Sequence, residues 1–81
     1  MPHIVYILEC ADRTFYCGYT IDLKKRLAFH NKGKASKYTR ARLPVKMIYS
    51  KKCPNKSAAL KLEYKIKQLK RKEKEELIAR L

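Results

Sequence analysis

The stretch HIVYILECADRTFYCGY, residues 3–19, decides the fold of this chain. Residues 3–10 are mostly apolar and β-branched or aromatic, which is typical of a strand. A polar tetrapeptide then supplies a turn, and residues 15–19 are typical of the returning strand of a β-hairpin. Because Tyr6 and Tyr16 lie on the two facing strands, we expect both side chains to project from the same surface.

A helix and a basic loop are predicted to follow the hairpin. Asp22 is a suitable N-cap for a helix over residues 23–32, and Gly33 is a suitable terminator. The residues predicted to share one face of this helix are Leu23, Leu27 and His30. Residues 33–43 carry four cations, no acid and one tyrosine, a composition that predicts a loop.

A third strand and two more helices complete the prediction. Residues 44–50 alternate as a strand should, and the side chains expected on one side are Val45, Met47 and Tyr49. Ser57 is a candidate N-cap for a helix that ends at Leu69, with a last helix over residues 72–81. The residues predicted to be buried on these helices are Ala59, Leu62, Ile66, Leu69, Leu77, Ile78 and Leu81. The order ββαβαα predicts an α+β fold, a small three-stranded, mainly antiparallel sheet flanked by helices.

Length and charge restrict the kind of protein further. The 81 residues allow one domain, which we place at 1–81, and 46% apolar residues indicate a globular chain. Lys and Arg number 21 against 7 acids, a net charge of +14 that predicts a polyanionic partner such as nucleic acid. The longest apolar run is far too short to span a membrane, and the N-terminus has no secretory pattern, so we expect a cytoplasmic protein.

The three cysteines, Cys10, Cys17 and Cys53, give no sign of a metal or disulfide framework. They are odd in number and lack a CxxC spacing, so neither a zinc site nor paired disulfides are predicted. We expect three small buried thiols in a reducing compartment.

Glu63 stands out because residues 23–72 contain 18 Lys or Arg and no other acid. A carboxylate on a phosphate-binding surface is unfavourable unless it holds a divalent cation that bridges to phosphate. The alternative is an ordinary helical ion pair with Lys67, four residues later.

Arg26 and His30 form a second candidate pair, because residues four apart lie on one helix face. A guanidinium grips phosphate oxygens, and an imidazole can accept or relay a proton near neutral pH. The alternative is a structural arginine beside a half-buried histidine.

Tyrosines are six of the eight aromatic residues. A tyrosine ionises near pKa ~10, and dense positive charge is expected to lower that value. Ordinary amphipathic packing suits Tyr49 and Tyr64 best, with the ring buried and the hydroxyl at the rim. Tyr38 lies among cations and is a candidate for stacking on nucleic-acid bases.

These elements together resemble the GIY-YIG nuclease superfamily. Ile4-Val5-Tyr6 stands in place of Gly-Ile-Tyr, and Tyr16-Cys17-Gly18 in place of Tyr-Ile-Gly, at the family's spacing. Arg26 with His30 matches the family's helical Arg and the His found four residues later in many branches. Glu63 matches the family's metal-binding Glu. The resemblance covers the full chain, and it is strongest to small stand-alone bacterial members, which in turn resemble the nuclease domain of the Slx-type structure-specific endonuclease.

The resemblance implies phosphodiester hydrolysis by in-line attack of water. Glu63 would hold one Mg²⁺ or Mn²⁺, and Arg26 would brace the phosphate oxygens. Tyr6 or Tyr16 would orient or deprotonate the water, and His30 would support proton transfer. Gly18 would let the strand approach the nucleic-acid backbone closely. The rim expected to bind that backbone comprises Lys24, Lys25, Lys34, Lys37, Arg40 and Arg42.

The sequence departs from the family pattern in three places. The first Gly of the motif is absent, Cys17 replaces an aliphatic residue, and the late Asn of some branches has no counterpart.

We expect a monomer that cuts DNA rather than RNA, selecting structure rather than sequence, in repair or recombination. A protein partner could supply substrate selection. Three alternatives remain open: a non-catalytic nucleic-acid-binding module that keeps the nuclease fold, an RNA- or ribosome-associated basic protein, and an accessory subunit that docks through its final helix.

Overall fold

Three antiparallel strands form the centre of the molecule. The computed structural model describes residues 2–80. The strands are β1 (His3–Glu9), β2 (Phe15–Thr20) and β3 (Lys46–Cys53), and they lie in the order β2-β1-β3. Both pairings of β1 are antiparallel, which confirms the predicted hairpin and the α+β class.

Within residues 2–80, four helices accompany the sheet, one more than the sequence predicted. They are α1 (Leu23–Asn31), α2 (Lys37–Arg40), α3 (Lys56–Gln68) and α4 (Arg71–Ala79). The short α2 lies in the stretch predicted to be a loop. Ser36 caps it, because its side chain accepts a hydrogen bond from the backbone N–H of Tyr38.

Helix ends follow local capping chemistry. The predicted N-cap Asp22 is confirmed, since its carboxylate accepts from the N–H of Lys25 at 3.1 Å. Gly33 adopts φ 74°, the left-handed conformation that terminates α1. The predicted cap Ser57 is wrong: Asn55 caps α3 by accepting from the N–H of Ala58 at 2.8 Å, which places Ser57 inside the first turn.

The register of β3 contradicts one prediction. Tyr49 pairs with Ile7 but Met47 pairs with Leu8, so the ladder is irregular between Ile7 and Leu8. An irregularity of this kind reverses the alternation of side chains. Val45 and Tyr49 are therefore buried in different clusters, and Met47 is 37% exposed rather than aligned with them.

The core has two clusters, and β1 contributes to both. Val5 and Ile7 pack with Ala59 and Ile66 of α3, and Leu77 and Ile78 of α4 lie against them. On the second side, the buried residues are Tyr6, Leu8, Cys10 and Val45, with Tyr16, Leu23, Leu27 and Leu43 packed around them. Leu77 and Ile78 of α4 pack against the core and are half-buried, which accounts for the apolar residues of this helix without a docking partner.

Several burial predictions need correction. Tyr64 is 65% exposed, since it lies on the side of α3 away from Ala59 and Ile66. Leu62 and Leu69 are half-buried, and Cys53 is half-buried rather than buried like Cys10 and Cys17. The prediction for Leu81 falls outside the described residues. Between residues 2 and 80, no helix combines the length and apolarity that crossing a membrane requires.

Candidate active site

A buried tyrosine–histidine pair lies at the centre of the candidate site. The Tyr6 hydroxyl and Nε2 of His30 are 2.9 Å apart, and the two residues are 2% and 1% exposed. Tyr6 lies on the central strand β1, and its side chain points to the side of the sheet that α1 covers. His30 comes from the last turn of α1, on the face that Leu23 and Leu27 also use for packing. The predicted cofacial helix residues are therefore confirmed.

The second ring nitrogen of His30 also has a partner. Nδ1 lies 2.9 Å from the hydroxyl oxygen of Thr39, which belongs to α2 and has no exposed surface. That hydroxyl donates in turn to the backbone carbonyl of Ser36 at 3.3 Å. The imidazole is thus held at both nitrogens, and its orientation is fixed by two different elements of the fold.

Gly18 provides the space that the Tyr6 side chain needs. It pairs directly with Tyr6 across the hairpin, and a Cβ at this position would collide with the Tyr6 hydroxyl. The ring of Tyr6 therefore ends over the backbone of β2. The resemblance implied a different reason for this glycine, namely close approach of the nucleic-acid backbone.

A layered aromatic stack flanks the pair. Tyr16 meets the His30 ring edge-on with centroids 5.2 Å apart, and it stacks on Tyr38 at 6.1 Å with an interplanar angle of 28°. The Arg42 guanidinium lies 3.9 Å from the centroid of the Tyr38 ring. The expectation that Tyr6 and Tyr16 project from one surface is confirmed, since both rings contact His30.

Arg42 is already engaged within the protein. Its Nε donates to the Asp12 carboxylate at 3.0 Å, and its NH1 donates to the Tyr38 carbonyl at 2.9 Å. The predicted role of Arg42 at the phosphate-binding rim is therefore shared with a structural one, the attachment of α2 to the hairpin turn.

Arg26 and Glu63 supply opposite charges near the Tyr6 hydroxyl. Arg26 is half-buried on α1, four residues before His30, and Glu63 is half-buried on α3. Both are close enough to influence the ionisation of Tyr6. Glu63 also forms the predicted pair with Lys67, with 3.4 Å between Nζ and Oε2. Of the five predicted catalytic residues, Tyr6 and Tyr16 thus both contact His30, while Arg26 and Glu63 act on the Tyr6 hydroxyl through their charges.

Burial dominates the proton affinities of the central pair. Desolvation raises the pKa of Tyr6 well above the usual value for tyrosine, and the positive charge of Arg26 offsets only part of this. The expectation that basic surroundings would lower the pKa is thus wrong for Tyr6. Desolvation, assisted by Arg26, lowers the pKa of His30. At neutral pH the pair consists of a phenol and a neutral imidazole.

The donor set suits a hard divalent cation with few protein ligands. Within residues 2–80, no three His, Cys, Asp or Glu side chains cluster closely enough to hold a metal ion. A closed zinc site is therefore excluded in that region. Mg²⁺ keeps several waters and needs one or two carboxylates plus substrate phosphates, so a single half-buried carboxylate at Glu63 fits it.

Two grooves border the site, and two of the predicted nucleic-acid-binding residues, Lys25 and Tyr38, line them. The stack groove, lined by Phe15, Tyr16, Cys17, Tyr38, Lys67 and Lys74, encloses about 260 Å³. The helix groove encloses about 430 Å³, and Lys25, Arg26 and Phe29 contribute to its lining. The other predicted rim cations are exposed on α1, α2 and the turn between them: Lys24, Lys34, Lys37 and Arg40.

Two site residues escaped the sequence analysis. Thr39 lies nine residues after His30 in a stretch predicted to be a loop, and no local pattern marks its hydroxyl as buried. Lys74 of α4 reaches the stack groove through the packing of α4, which sequence spacing does not reveal. Its lysine neighbours on the same helix gave no signal to distinguish it.

Acidification is expected to destabilise the protein through His30. Because the folded state lowers the pKa of His30, the unfolded chain binds the proton more readily, and stability falls as pH decreases through ~6.5. The groups facing this imidazole are the Arg26 guanidinium, which is charged, and the phenols of Tyr6 and Tyr16. NMR titration of the His30 ring should give a pKa below ~6.5, with urea midpoints decreasing between pH 7.5 and 5.5. A His30 pKa at or above 6.5 would contradict the geometry.

The fold and site define the class of this protein: a small α+β protein with a buried, hydrogen-bonded Tyr–His pair whose ionisation is influenced by one arginine and one glutamate. Residues 2–76 match the GIY-YIG catalytic domain. The chain therefore belongs to the GIY-YIG family, which is a nuclease family.

Small stand-alone proteins are its relatives. The chain is 51% identical over 75 residues to a UPF0213 protein of Streptococcus pneumoniae, covering 93% of this chain and 76% of that protein. It is 47% identical over 77 residues to a UPF0213 protein of Natronomonas pharaonis, covering 95% and 91%. The solution structure of the UPF0213 protein BH0048 from Bacillus halodurans is 44% identical, with a TM-score of 0.64 over 98% of this chain and 84% of that one. Protein EF2693 of E. faecalis gives 42% identity and a TM-score of 0.68 at the same coverage.

Proposed function

We propose that the chain, acting as one domain over residues 1–81, is a metal-dependent endonuclease that hydrolyses phosphodiester bonds in DNA. The observation that carries this proposal is the buried Tyr6–His30 hydrogen bond beside Arg26 and Glu63. A neutral imidazole joined to a phenol is a proton acceptor with a built-in relay. A guanidinium and a carboxylate next to that relay are the groups that phosphate chemistry needs.

Glu63 is the residue that would hold one Mg²⁺ or Mn²⁺ ion. When bound, this ion would neutralise phosphate charge and stabilise the leaving oxygen. The Lys67 ammonium that now pairs with Glu63 is exposed, and exposed ion pairs contribute little free energy. Lys67 can therefore turn from Glu63 to a phosphate in the stack groove, which it also lines.

Tyr6 and His30 would move the proton of the attacking water. The raised pKa of Tyr6 excludes a standing phenolate, so the hydroxyl must lose its own proton as it accepts one. His30, 2.9 Å away, is the acceptor in place. Arg26 would bind the equatorial phosphate oxygens, where charge accumulates during the reaction. Tyr16 has a T-shaped ring contact with the imidazole, with centroids 5.2 Å apart, and is better placed to orient that ring.

The grooves support a path for the nucleic acid across the site. Lys25 and Arg26 line one groove, while Lys67 and Lys74 line the other, so a strand passing between them would meet cations on both sides. Tyr38 is 37% exposed at the edge of the stack groove, and base stacking on its ring requires Tyr16 or Arg42, which now lie against that ring, to move aside. Such contacts recognise backbone and shape rather than sequence. We accordingly propose selection of branched, flapped or nicked DNA in the cytoplasm, in repair or recombination, by a monomer that can work with a partner.

A second candidate function is nucleic-acid binding without cleavage. The Glu63–Lys67 ion pair favours it, because a carboxylate neutralised by lysine has a structural role that needs no metal. In this case the removal of the Glu63 charge would leave binding unchanged or improve it. RNA is a suitable ligand for such a module, since its backbone carries the same charge.

The test is cleavage of labelled duplex, single-stranded, flapped and four-way DNA and one structured RNA, with Mg²⁺ or Mn²⁺. We expect metal-dependent cleavage of at least one DNA, abolished by EDTA and lowered about 100-fold or more by Glu63→Gln and by Arg26→Ala. Glu75→Gln is the matched control, because Glu75 makes the same i,i+4 type of ion pair, with Arg71 at 3.0 Å, outside the site.

Binding of the same substrates separates the two functions. Retained binding with abolished cleavage in the Glu63→Gln variant supports the nuclease. Tight, salt-sensitive binding without any cut above the Glu63→Gln background overturns it in favour of a binding module.

A further inference from the structure

We propose that Thr39 is a positioning residue that sets the tautomer of His30, placing the imidazole proton on Nδ1 and leaving Nε2 free to accept the Tyr6 proton. The catalytic role of this tautomer rests on the proposed function, whereas the position of the imidazole proton does not. We infer it from three consecutive buried hydrogen bonds that connect β1, α1 and α2.

The donor and acceptor in each of these hydrogen bonds can be assigned by starting from the Ser36 carbonyl, at the end of the series. The Thr39 hydroxyl donates its single proton to the Ser36 carbonyl at 3.3 Å, an oxygen that also accepts from the N–H of Arg40 at 2.9 Å. The Thr39 oxygen then accepts from His30, which requires a proton on Nδ1, 2.9 Å away. A neutral imidazole carries one N–H only, so Nε2 has a free lone pair aimed at the Tyr6 hydroxyl, 2.9 Å away.

The opposite tautomer leaves a proton without an acceptor. If Nε2 carried the proton, it would donate to the Tyr6 oxygen, and the Tyr6 O–H would have to turn elsewhere. Within residues 2–80, His30 is the one hydrogen-bond partner of the Tyr6 hydroxyl, and Tyr6 is 2% exposed. A buried donor without a partner is costly, so the proton count favours the Nδ1–H form.

Contacts at both ends of α2 fix the position of Thr39. Ser36 serves twice, because its side chain caps α2 at the N–H of Tyr38 and its carbonyl accepts from Thr39. Arg42 fastens the other end of α2 by donating to the Tyr38 carbonyl and pairing with Asp12. Thr39 has no exposed surface, so water cannot replace its hydroxyl without a rearrangement.

The tautomer matters because the proposed reaction needs a proton to move from the Tyr6 hydroxyl to Nε2 of His30. With Nε2 free, the Tyr6 O–H bond breaks as a new N–H bond forms on His30. The Tyr6 oxygen, 2% exposed in the protein without nucleic acid, receives the proton released by a water that substrate binding admits to it. The imidazolium that results keeps Thr39 and Tyr6 as its two hydrogen-bond acceptors. With the wrong tautomer, Nε2 already carries a proton and the transfer is blocked.

The experiment measures the tautomer directly by ¹⁵N NMR of the imidazole rings in the protein without nucleic acid, above the pKa of His30. The wild type should carry its proton on Nδ1. Thr39→Ser keeps the hydroxyl and should keep this tautomer, whereas Thr39→Val should shift the population toward Nε2–H. Thr20→Val is the matched control, since Thr20 is a second buried threonine whose hydroxyl bonds elsewhere, to the backbone of Asp22.

Cleavage assays add the functional readout. Thr39→Val should lower the maximal cleavage rate about 10- to 100-fold, the range typical of residues that orient a histidine by a hydrogen bond, and Thr39→Ser should restore it. A wild-type protein with the proton on Nε2, or a Thr39→Val variant that folds and keeps the wild-type tautomer, overturns the inference. An Nδ1–H tautomer in a protein that cuts no substrate supports the inference and overturns the proposed function instead.

Discussion

Replacing Tyr6 by phenylalanine is expected to lower the rate of DNA cleavage by about 10²- to 10⁴-fold, the range for loss of a positioned acid–base group. The substitution removes only the hydroxyl that lies 2.9 Å from Nε2 of His30 and keeps the ring in its core position. The buried imidazole nitrogen loses its partner, which costs about 1–3 kcal/mol of stability. Single-turnover cleavage and a urea unfolding curve, measured on the same protein stock, separate the two effects.

Tyr16→Phe is the matched control for this experiment. Tyr16 contacts His30 through its ring edge, with centroids 5.2 Å apart, and a phenylalanine keeps that contact. We therefore expect a much smaller effect on the cleavage rate than for Tyr6→Phe. The reverse order, with Tyr16→Phe the more damaging change, would identify Tyr16 as the base and contradict the relay through His30.

The central site was predictable because its members carry local signals. A hairpin pattern placed Tyr6 and Tyr16 on facing strands, and helical spacing placed Arg26 and His30 on one face. Glu63 was marked by charge, as the single acid in a basic stretch. The resemblance to a family then connected these signals. The catalytic roles of these residues remain predictions until cleavage is measured.

Features set by tertiary contacts were not predictable. The register of β3 depends on an irregular pairing between Ile7 and Leu8, which no pattern within β3 reveals. The burial of Thr39 depends on how the four-residue helix α2 packs. The Lys- and Arg-rich sequence of this stretch predicted a loop instead of a helix. The outward orientation of Tyr64 follows from the cap at Asn55 and the face of α3 that meets the sheet, not from its aromatic character.

The pKa of Tyr6 shows why composition misleads about a buried group. A net charge of +14 favours the phenolate, and Arg26 does act in that direction. Desolvation opposes it and is larger, because the hydroxyl lies inside the protein while most of the lysines lie in water, where their field is screened. In the proposed reaction, the raised pKa therefore favours Tyr6 as a proton relay rather than as a free phenolate.

Gly18→Ala is expected to damage both stability and cleavage, because the added methyl group would collide with the Tyr6 hydroxyl. Overpacking of this kind costs about 1–3 kcal/mol. Displacement of the hydroxyl also breaks its alignment with His30, so the cleavage rate should fall about as far as in Tyr6→Phe. Urea unfolding and single-turnover cleavage are again the measurements.

A second variant and a control glycine identify the cause of that loss. Leucine at position 6 ends short of the far end of the tyrosine ring, where the collision occurs. The unfolding penalty of Gly18→Ala should therefore be smaller in a Tyr6→Leu background than in the wild type, a coupling that distant sites do not show. Gly33→Ala places a methyl group at φ 74° and 3.3 Å from Cγ of Arg40; it should cost about 1–2 kcal/mol, mainly through backbone strain, with cleavage little changed. Equal penalties for Gly18→Ala in both backgrounds would show that Gly18 serves the backbone of β2 rather than the Tyr6 side chain.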